Sequence, residues 1–191
     1  MNNILVIAKG SKYVEILSKD YRLLEGRNNI TVYTDKVEDL KKITSFTDIR
    51  EYKPSTFRYF DKYYLTYLLT KEKKAPVLYI DVGRLNVDFY RTLFNFKSED
   101  INGIYTNSSW DGIESAKQLY NQKSPYLEDG YFNNILDYFE SEKINLSSVV
   151  PLLERVFIFP FNNSIDIVIE ELEKLRKLFE SNSINKKNKS W

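Results

Sequence analysis

Cysteine and histidine are both absent from this sequence. Without cysteine there is no disulfide framework and no thiol chemistry. Without histidine the commonest general base and the commonest transition-metal ligand are missing together. Any catalysis must therefore run on carboxylates, lysine, tyrosine, hydroxyls or backbone dipoles. Glycine is scarce at 6 residues, and neither a Gly-x-Gly-x-x-Gly turn nor a phosphate-loop lysine motif occurs, which counts against an ordinary dinucleotide or P-loop site. No apolar run approaches the length needed to cross a bilayer. The opening residues 1–8 have too short an apolar run, and no basic lead-in, for a signal peptide, so a cytoplasmic protein with no transmembrane segment is expected. An excess of either charge is lacking too: 28 Lys and Arg stand against 27 Asp and Glu, a net charge of +1. Nucleic-acid binding needs a clearly basic face, so no nucleic-acid partner is expected.

What is present reads as a globular protein. Hydrophobic residues make up 42% of 191, enough for one domain with a buried core. The 15 Tyr and 12 Phe include many rings with a polar tip, which suits clefts and rims as well as cores. Residues 4–8 are a continuous apolar run ending in Lys9-Gly10-Ser11, the pattern of a buried strand entering a loop. Residues 13–24 follow with a helical stripe stopped by Gly26. Residues 30–34 predict a second strand. Asp35-Lys36-Val37-Glu38 predicts a helix start with Asp35 in the cap position, and residues 45–52 hold a third strand.

Residues 57–69 predict a helix with Phe57, Phe60, Tyr64, Leu65 and Leu68 on one face, followed by a solvated connector over 71–74. Residues 76–81 are apolar until they end in Asp81, the pattern of a strand in mid-sheet. Strands are further expected near 104–106 and 155–161. Helices are expected over 111–121, 131–142 and 165–179. This alternation predicts an α/β fold with a doubly wound, mostly parallel central sheet and helices on both faces. The expected layout is a single domain over 1–180 with a frayed, basic tail over 181–191. In such sheets ligands sit outside the carboxyl ends of the strands, so the loops at 9–13, 34–36 and 81–85 should share one rim.

Several residues in these loops suit chemistry, and each has a plainer alternative. Asp81 can hold a divalent ion against phosphates, or it caps a turn or pairs with a lysine. Arg58, Asp61 and Lys62 occupy neighbouring positions of a helix, either as a polar cluster facing a ligand or as exposed ion pairs worth about 0.3 kcal/mol each. Glu128 and Asp129 are adjacent, so in a helix they diverge by about 100° and only one can enter a cleft. Asp129 is the better candidate for a base acting on a hydroxyl, and the alternative is a pair of acids favoured by a helix dipole. The stretch 105–110, Tyr-Thr-Asn-Ser-Ser-Trp, offers Trp110 for stacking on a sugar ring and Asn107 for its hydroxyls, or else a Trp that staples a helix start to the core.

Phe57-Arg58-Tyr59-Phe60-Asp61-Lys62, then a helix, then Val77-Leu78-Tyr79-Ile80-Asp81-Val82-Gly83 resembles the nucleotide-sugar glycosyltransferases of the GT-A fold. In that family a strand ends in an Asp-x-Asp motif. Residues 4–13 and the strand ending Val32-Tyr33-Thr34-Asp35 are similar to the family's first two nucleotide-contacting edges. Leu127-Glu128-Asp129-Gly130 is similar to its acidic motif facing the acceptor. The resemblance is spread over residues 4–160. It implies a nucleotide-diphosphate sugar donor, contacted by Ala8, Tyr13, Thr34, Asp35, Arg58, Asp61, Lys62, Asp81 and Arg84. It implies a carbohydrate or other hydroxyl acceptor near Trp110 and Asn107, with Asp129 or Glu128 as the base. The family's Mn2+ or Mg2+ would fall to Asp81, but Gly83 stands where the second Asp belongs and no histidine is available. The chain therefore reads either as a transferase that works without a metal, with Arg84 or other cations meeting the diphosphate charge, or as a catalytically inactive binding or assembly module of the same fold.

Overall fold

The computed structural model describes residues 1–20, 28–55, 58–84, 96–108, 143 and 152–181. Strand β1 (Asn2–Ala8) forms where the first apolar run lies, and Ile4, Leu5, Val6 and Ala8 are all completely buried. Apolar residues on both faces can only be satisfied in the middle of a sheet. β1 accordingly pairs in parallel with β2 (Asn28–Thr34) on one side and β4 (Val77–Ile80) on the other. β2 pairs in parallel with β3 (Asp48–Glu51). Beyond β4 lie β6 (Leu152–Phe159), antiparallel to it, and β5 (Tyr105–Ser108), which gives the order β3-β2-β1-β4-β6-β5. Helices α1 (Ser11–Asp20), α2 (Val37–Ile43) and α3 (Arg58–Lys73) alternate with the parallel strands, and α4 (Ser164–Ser181) follows β6. The fold is α/β around a mostly parallel mixed sheet.

Strand alternation sorts the core. Ile4, Val6, Val32, Leu78, Ile80 and Val156 cluster with Val14 and Leu17 of α1 and Leu40 of α2. The residues between them face the other way, where Phe157 stacks on Tyr79 and on Tyr63 of α3, at 4.9 Å between ring centroids in each case. The sheet is therefore covered on both faces, and each fully buried aliphatic side chain contributes roughly 1.5–3 kcal/mol.

Helix α3 departs from its predicted pattern in two ways. Among the described residues of α3, Phe60, Asp61, Thr66, Leu69 and Thr70 are buried, while Leu68 is 54% exposed. Thr66 and Thr70 enter the core because their hydroxyls bond back to the carbonyls of Lys62 and Thr66 one turn earlier. The stretch 71–74 is solvated as expected, but it is not a connector. α3 runs to Lys73, and Glu72 receives both Nη atoms of Arg50 from β3 at 2.7 Å. A charged tetrapeptide looks like a linker in isolation, but the helical period carries Glu72 over the edge strand. Lys74, at φ 50, turns the chain out of the helix.

Two compact units make up the chain: Met1–Thr106 with Arg155–Ile169, and Asn107–Glu154 with Glu170–Trp191. The first contains the parallel sheet. In the second, Arg176 pairs with Glu173, and Lys174 with Glu171, along α4. Among the described residues no helix is long and apolar enough to cross a membrane.

Candidate functional site

The four parallel strands end on one edge, and the strand order reverses between β1 and β4. In open α/β sheets such a reversal opens a crevice outside the carboxyl ends. Ala8 pairs with Thr34 at this edge, and Asp81 lies two residues beyond the Leu5–Tyr79 pair. The loops after β1, β2 and β4 thus share one rim, as the alternation of strand and helix predicts.

Hydrogen bonds link the rim in series. The Gly10 amide donates to Asp35 Oδ1 at 2.7 Å, tying the first loop to the second. The Thr34 carbonyl accepts from the Tyr52 amide at 2.8 Å, tying the end of β2 to the end of β3. The Tyr52 hydroxyl then donates to Asp61 Oδ2 at 2.6 Å, and the Ser55 amide donates to the same oxygen at 3.0 Å. That anchors the segment after β3 to the first turn of α3. At β4 the Tyr79 hydroxyl donates to Asp81 Oδ1 at 2.5 Å. Gly10 takes φ +80, a left-handed conformation that glycine adopts without cost, so the turn from β1 into α1 is tight.

The expected site residues distribute as follows. Ala8 and Thr34 are wholly buried at the strand ends, with the Thr34 hydroxyl accepting from the Lys36 amide at 3.0 Å. Tyr13, in the first turn of α1, is 46% exposed at the rim. Asp35 does not cap α2: Lys36 occupies the cap position without a side-chain cap bond, because the Asp35 carboxylate is turned to Gly10. Asp61 is buried, so it does not belong to an exposed set of ion pairs. The Lys62 ammonium lies 5.5 Å from the Tyr63 ring centroid and 5.9 Å from that of Tyr79, a cation–π arrangement. Lys62 and Asp81 thus approach the same tyrosine from α3 and from β4.

Arg58 opens α3 and Arg84 closes the 3-10 turn Val82–Arg84, while Asn107 lies in β5. Trp110, Glu128 and Asp129 fall outside the described residues, as do the helices expected over 111–121 and 131–142 and the tail 182–191.

Electrostatics divide the rim. A shallow depression of about 510 Å3 is lined by Asp35, Lys36, Val37, Glu38, Asp39 and Glu51. Lys41 pairs with Glu38 and Lys53 with Glu51, which offsets two of the four carboxylates, so the depression is mildly acidic and suits hydroxyl and N–H donors better than a diphosphate. Lys9 and Lys12 flank Gly10 at the amino end of α1, where the helix dipole also favours an anion. Among the described residues no group of three His, Cys, Asp or Glu side chains could hold a metal ion. Asp81 by itself offers one carboxylate to an Mn2+ or Mg2+ ion, which takes several oxygen ligands.

Tyr52 and Tyr79 are not among the expected site residues. The sequence does carry a signal for Tyr79: a tyrosine two residues before an acid shares its side of the strand, so a polar tip and a carboxylate can meet there. Nothing local marks Tyr52, whose partner is positioned by α3. No protein-family model matches the sequence, and no curated protein matches it significantly.

Proposed function

We propose that the protein binds a nucleotide-diphosphate sugar across the carboxyl edge of β1, β2 and β4 and transfers the sugar to an acceptor hydroxyl, in the manner of GT-A glycosyltransferases. The observation that supports this reading is the reversal of strand order between β1 and β4, with Gly10, Asp35 and Asp81 at the strand ends beside it.

Base and ribose, rich in N–H and O–H donors, suit the carboxylate side of the rim at Asp35, with Tyr13 exposed in the first turn of α1 for stacking. The diphosphate suits the cationic side: Lys9, Lys12 and the amino end of α1, with Lys62 over the Tyr79 ring. Arg58 and Arg84 join this side by their backbone positions. The family resemblance, not the geometry, assigns Trp110, Asn107 and Asp129 or Glu128 to the acceptor, where one carboxylate would take the proton of the attacking hydroxyl. No step is assigned to a metal.

A second reading is binding without transfer. It is favoured by Gly83 in place of the second acid and by the engagement of Asp81 with Tyr79.

Thermal-shift measurements with uridine, guanosine, cytidine and thymidine diphosphate sugars, with and without manganese, test both. A ligand that binds only the native state raises its melting temperature by mass action. The expected result is a shift for one nucleotide class that Asp81→Ala removes. Sugar release from the bound donor in the presence of acceptor separates transfer from binding. No shift with any nucleotide at millimolar concentration would sink transfer and nucleotide binding together and leave an assembly module of the same fold.

A further inference from the structure

Tyr79 has a position that packing alone does not require. Its ring is packed by Phe157 and by the Lys62 ammonium within the first unit. It is only 4% exposed. It stacks on Phe157 at 4.9 Å with 22° between the planes, Phe157 in turn stacks on Tyr63 of α3, and the Lys62 ammonium lies over the Tyr79 ring at 5.9 Å. A ring fixed in this way makes its hydroxyl a fixed point. That hydroxyl emerges at the carboxyl end of β4 and donates to Asp81 Oδ1 at 2.5 Å, the length of a charge-assisted O–H···O− bond.

Asp81 follows the last residue of β4 and is half-buried, so the strand ladder itself does not set its side-chain torsions. A carboxylate has about four acceptor positions, of which the Tyr79 hydroxyl takes one. The bond therefore restricts the orientation of the carboxylate in advance. Ordering a side chain before its ligand arrives removes that entropy cost from binding.

We infer that Tyr79 is a positioning residue for Asp81, setting the orientation in which the carboxylate meets the ligand at the switch between β1 and β4. This rests on the proposal that the rim binds a nucleotide. It adds a division of labour: Asp81 touches the ligand, while the Tyr79 hydroxyl acts only through Asp81. The same tyrosine also carries the Lys62 ammonium on its face, so one buried ring orders an anion at its tip and a cation on its plane.

The test compares wild type with Tyr79→Phe, which keeps the ring and its stacking and removes only the hydroxyl. Affinity is measured by calorimetry with the diphosphate sugar that shifts the wild-type melting temperature most. The carboxyl-carbon NMR resonances of Asp81 and Asp61 are recorded in the ligand-free protein. The expected result is a dissociation constant raised about tenfold, the scale of one charge-assisted hydrogen bond, with a melting temperature within a few degrees of wild type. The Asp81 resonance should move while that of Asp61, held by Tyr52, stays in place. Unchanged affinity or an unmoved Asp81 resonance overturns the role of Tyr79 and leaves nucleotide binding standing. A variant that melts many degrees lower, with both resonances displaced, overturns positioning in favour of a structural role. Absence of nucleotide binding in the wild type overturns this inference together with the function it rests on.

Discussion

At the scale of single residues, the rim depends on backbone freedom at one glycine and on carboxylates whose partners are remote in sequence. Gly10 has φ +80 and donates its amide to Asp35, whereas Gly83 has open space where a Cβ would stand and no positive φ. Gly10→Ala should therefore lose about 1 kcal/mol in urea unfolding, and Gly83→Ala should stay within about 0.5 kcal/mol of wild type. Equal losses at the two positions would contradict the backbone conformation described for Gly10. The carboxylates show how far local reading reaches. Asp35 before a helical stretch looks like a cap, and Asp61 in a first helical turn looks like a surface acid. Their actual partners, Gly10 and Tyr52, are 25 and 9 residues away. No cap rule or i,i+4 rule addresses such distances.

At the scale of elements, α3 clamps the sheet's edge. Arg50 of β3 makes paired bonds to Glu72, at 2.7 Å each, and to Asp48, at 2.8 and 3.0 Å. Thr31 of β2 donates to Asp48 at 2.8 Å. Asp166 of α4 receives Lys71 and Tyr67 from the other flank of α3. Hydrogen bonds from Arg50 hold the Glu72 carboxyl below its ordinary 4.5. For Asp48, burial pushes upward, but bonds from Arg50 and Thr31 with the nearby Arg50 and Lys73 charges hold it below 3.8. The bond from Lys71, then that from Tyr67, lowers Asp166 below 3.8.

In each case the folded value lies under the unfolded one. Between the two the unfolded chain binds more protons, so stability falls as pH falls. The contribution is complete above about pH 5 and is lost through and below the range of about 4.5 to 3.8. Calorimetric melting temperatures should be flat from about pH 7 to 5 and then drop. Glu72→Gln should melt lower at neutral pH and drop less steeply. Parallel curves for the two proteins would remove Glu72 from the account. Because Glu72 is about half exposed, salt should weaken its contribution.

At the scale of the whole molecule, stability rests on a sheet buried on both faces. Leu78, wholly buried between β1 and β6, should cost about 2–5 kcal/mol on truncation to Ala. Leu68→Ala, at a position 54% exposed, should change stability by less than about 0.5 kcal/mol. Denaturant titration of the two variants distinguishes this arrangement from one in which the predicted apolar stripe of α3, including Leu68, faces the sheet.

The amino-acid sequence by itself determined that strands lie at 4–8, 30–34 and 76–81 with helices between them, and that the sheet is mostly parallel. Burial on both faces is written into consecutive residues, and alternation with helices leaves parallel crossover connections as the economical path. It also identified the edge at which the loops after β1, β2 and β4 meet. Tertiary structure alone decided the antiparallel direction of β6, the inward turn of Thr66 and Thr70, the tie from Gly10 to Asp35, the anchoring of Asp61 by Tyr52 and the ring stack that orients Tyr79. The physical reason is common to all five. Periodicity reports how much of a segment is buried, but not which neighbour buries it, in what direction, or at what distance a polar tip meets its partner.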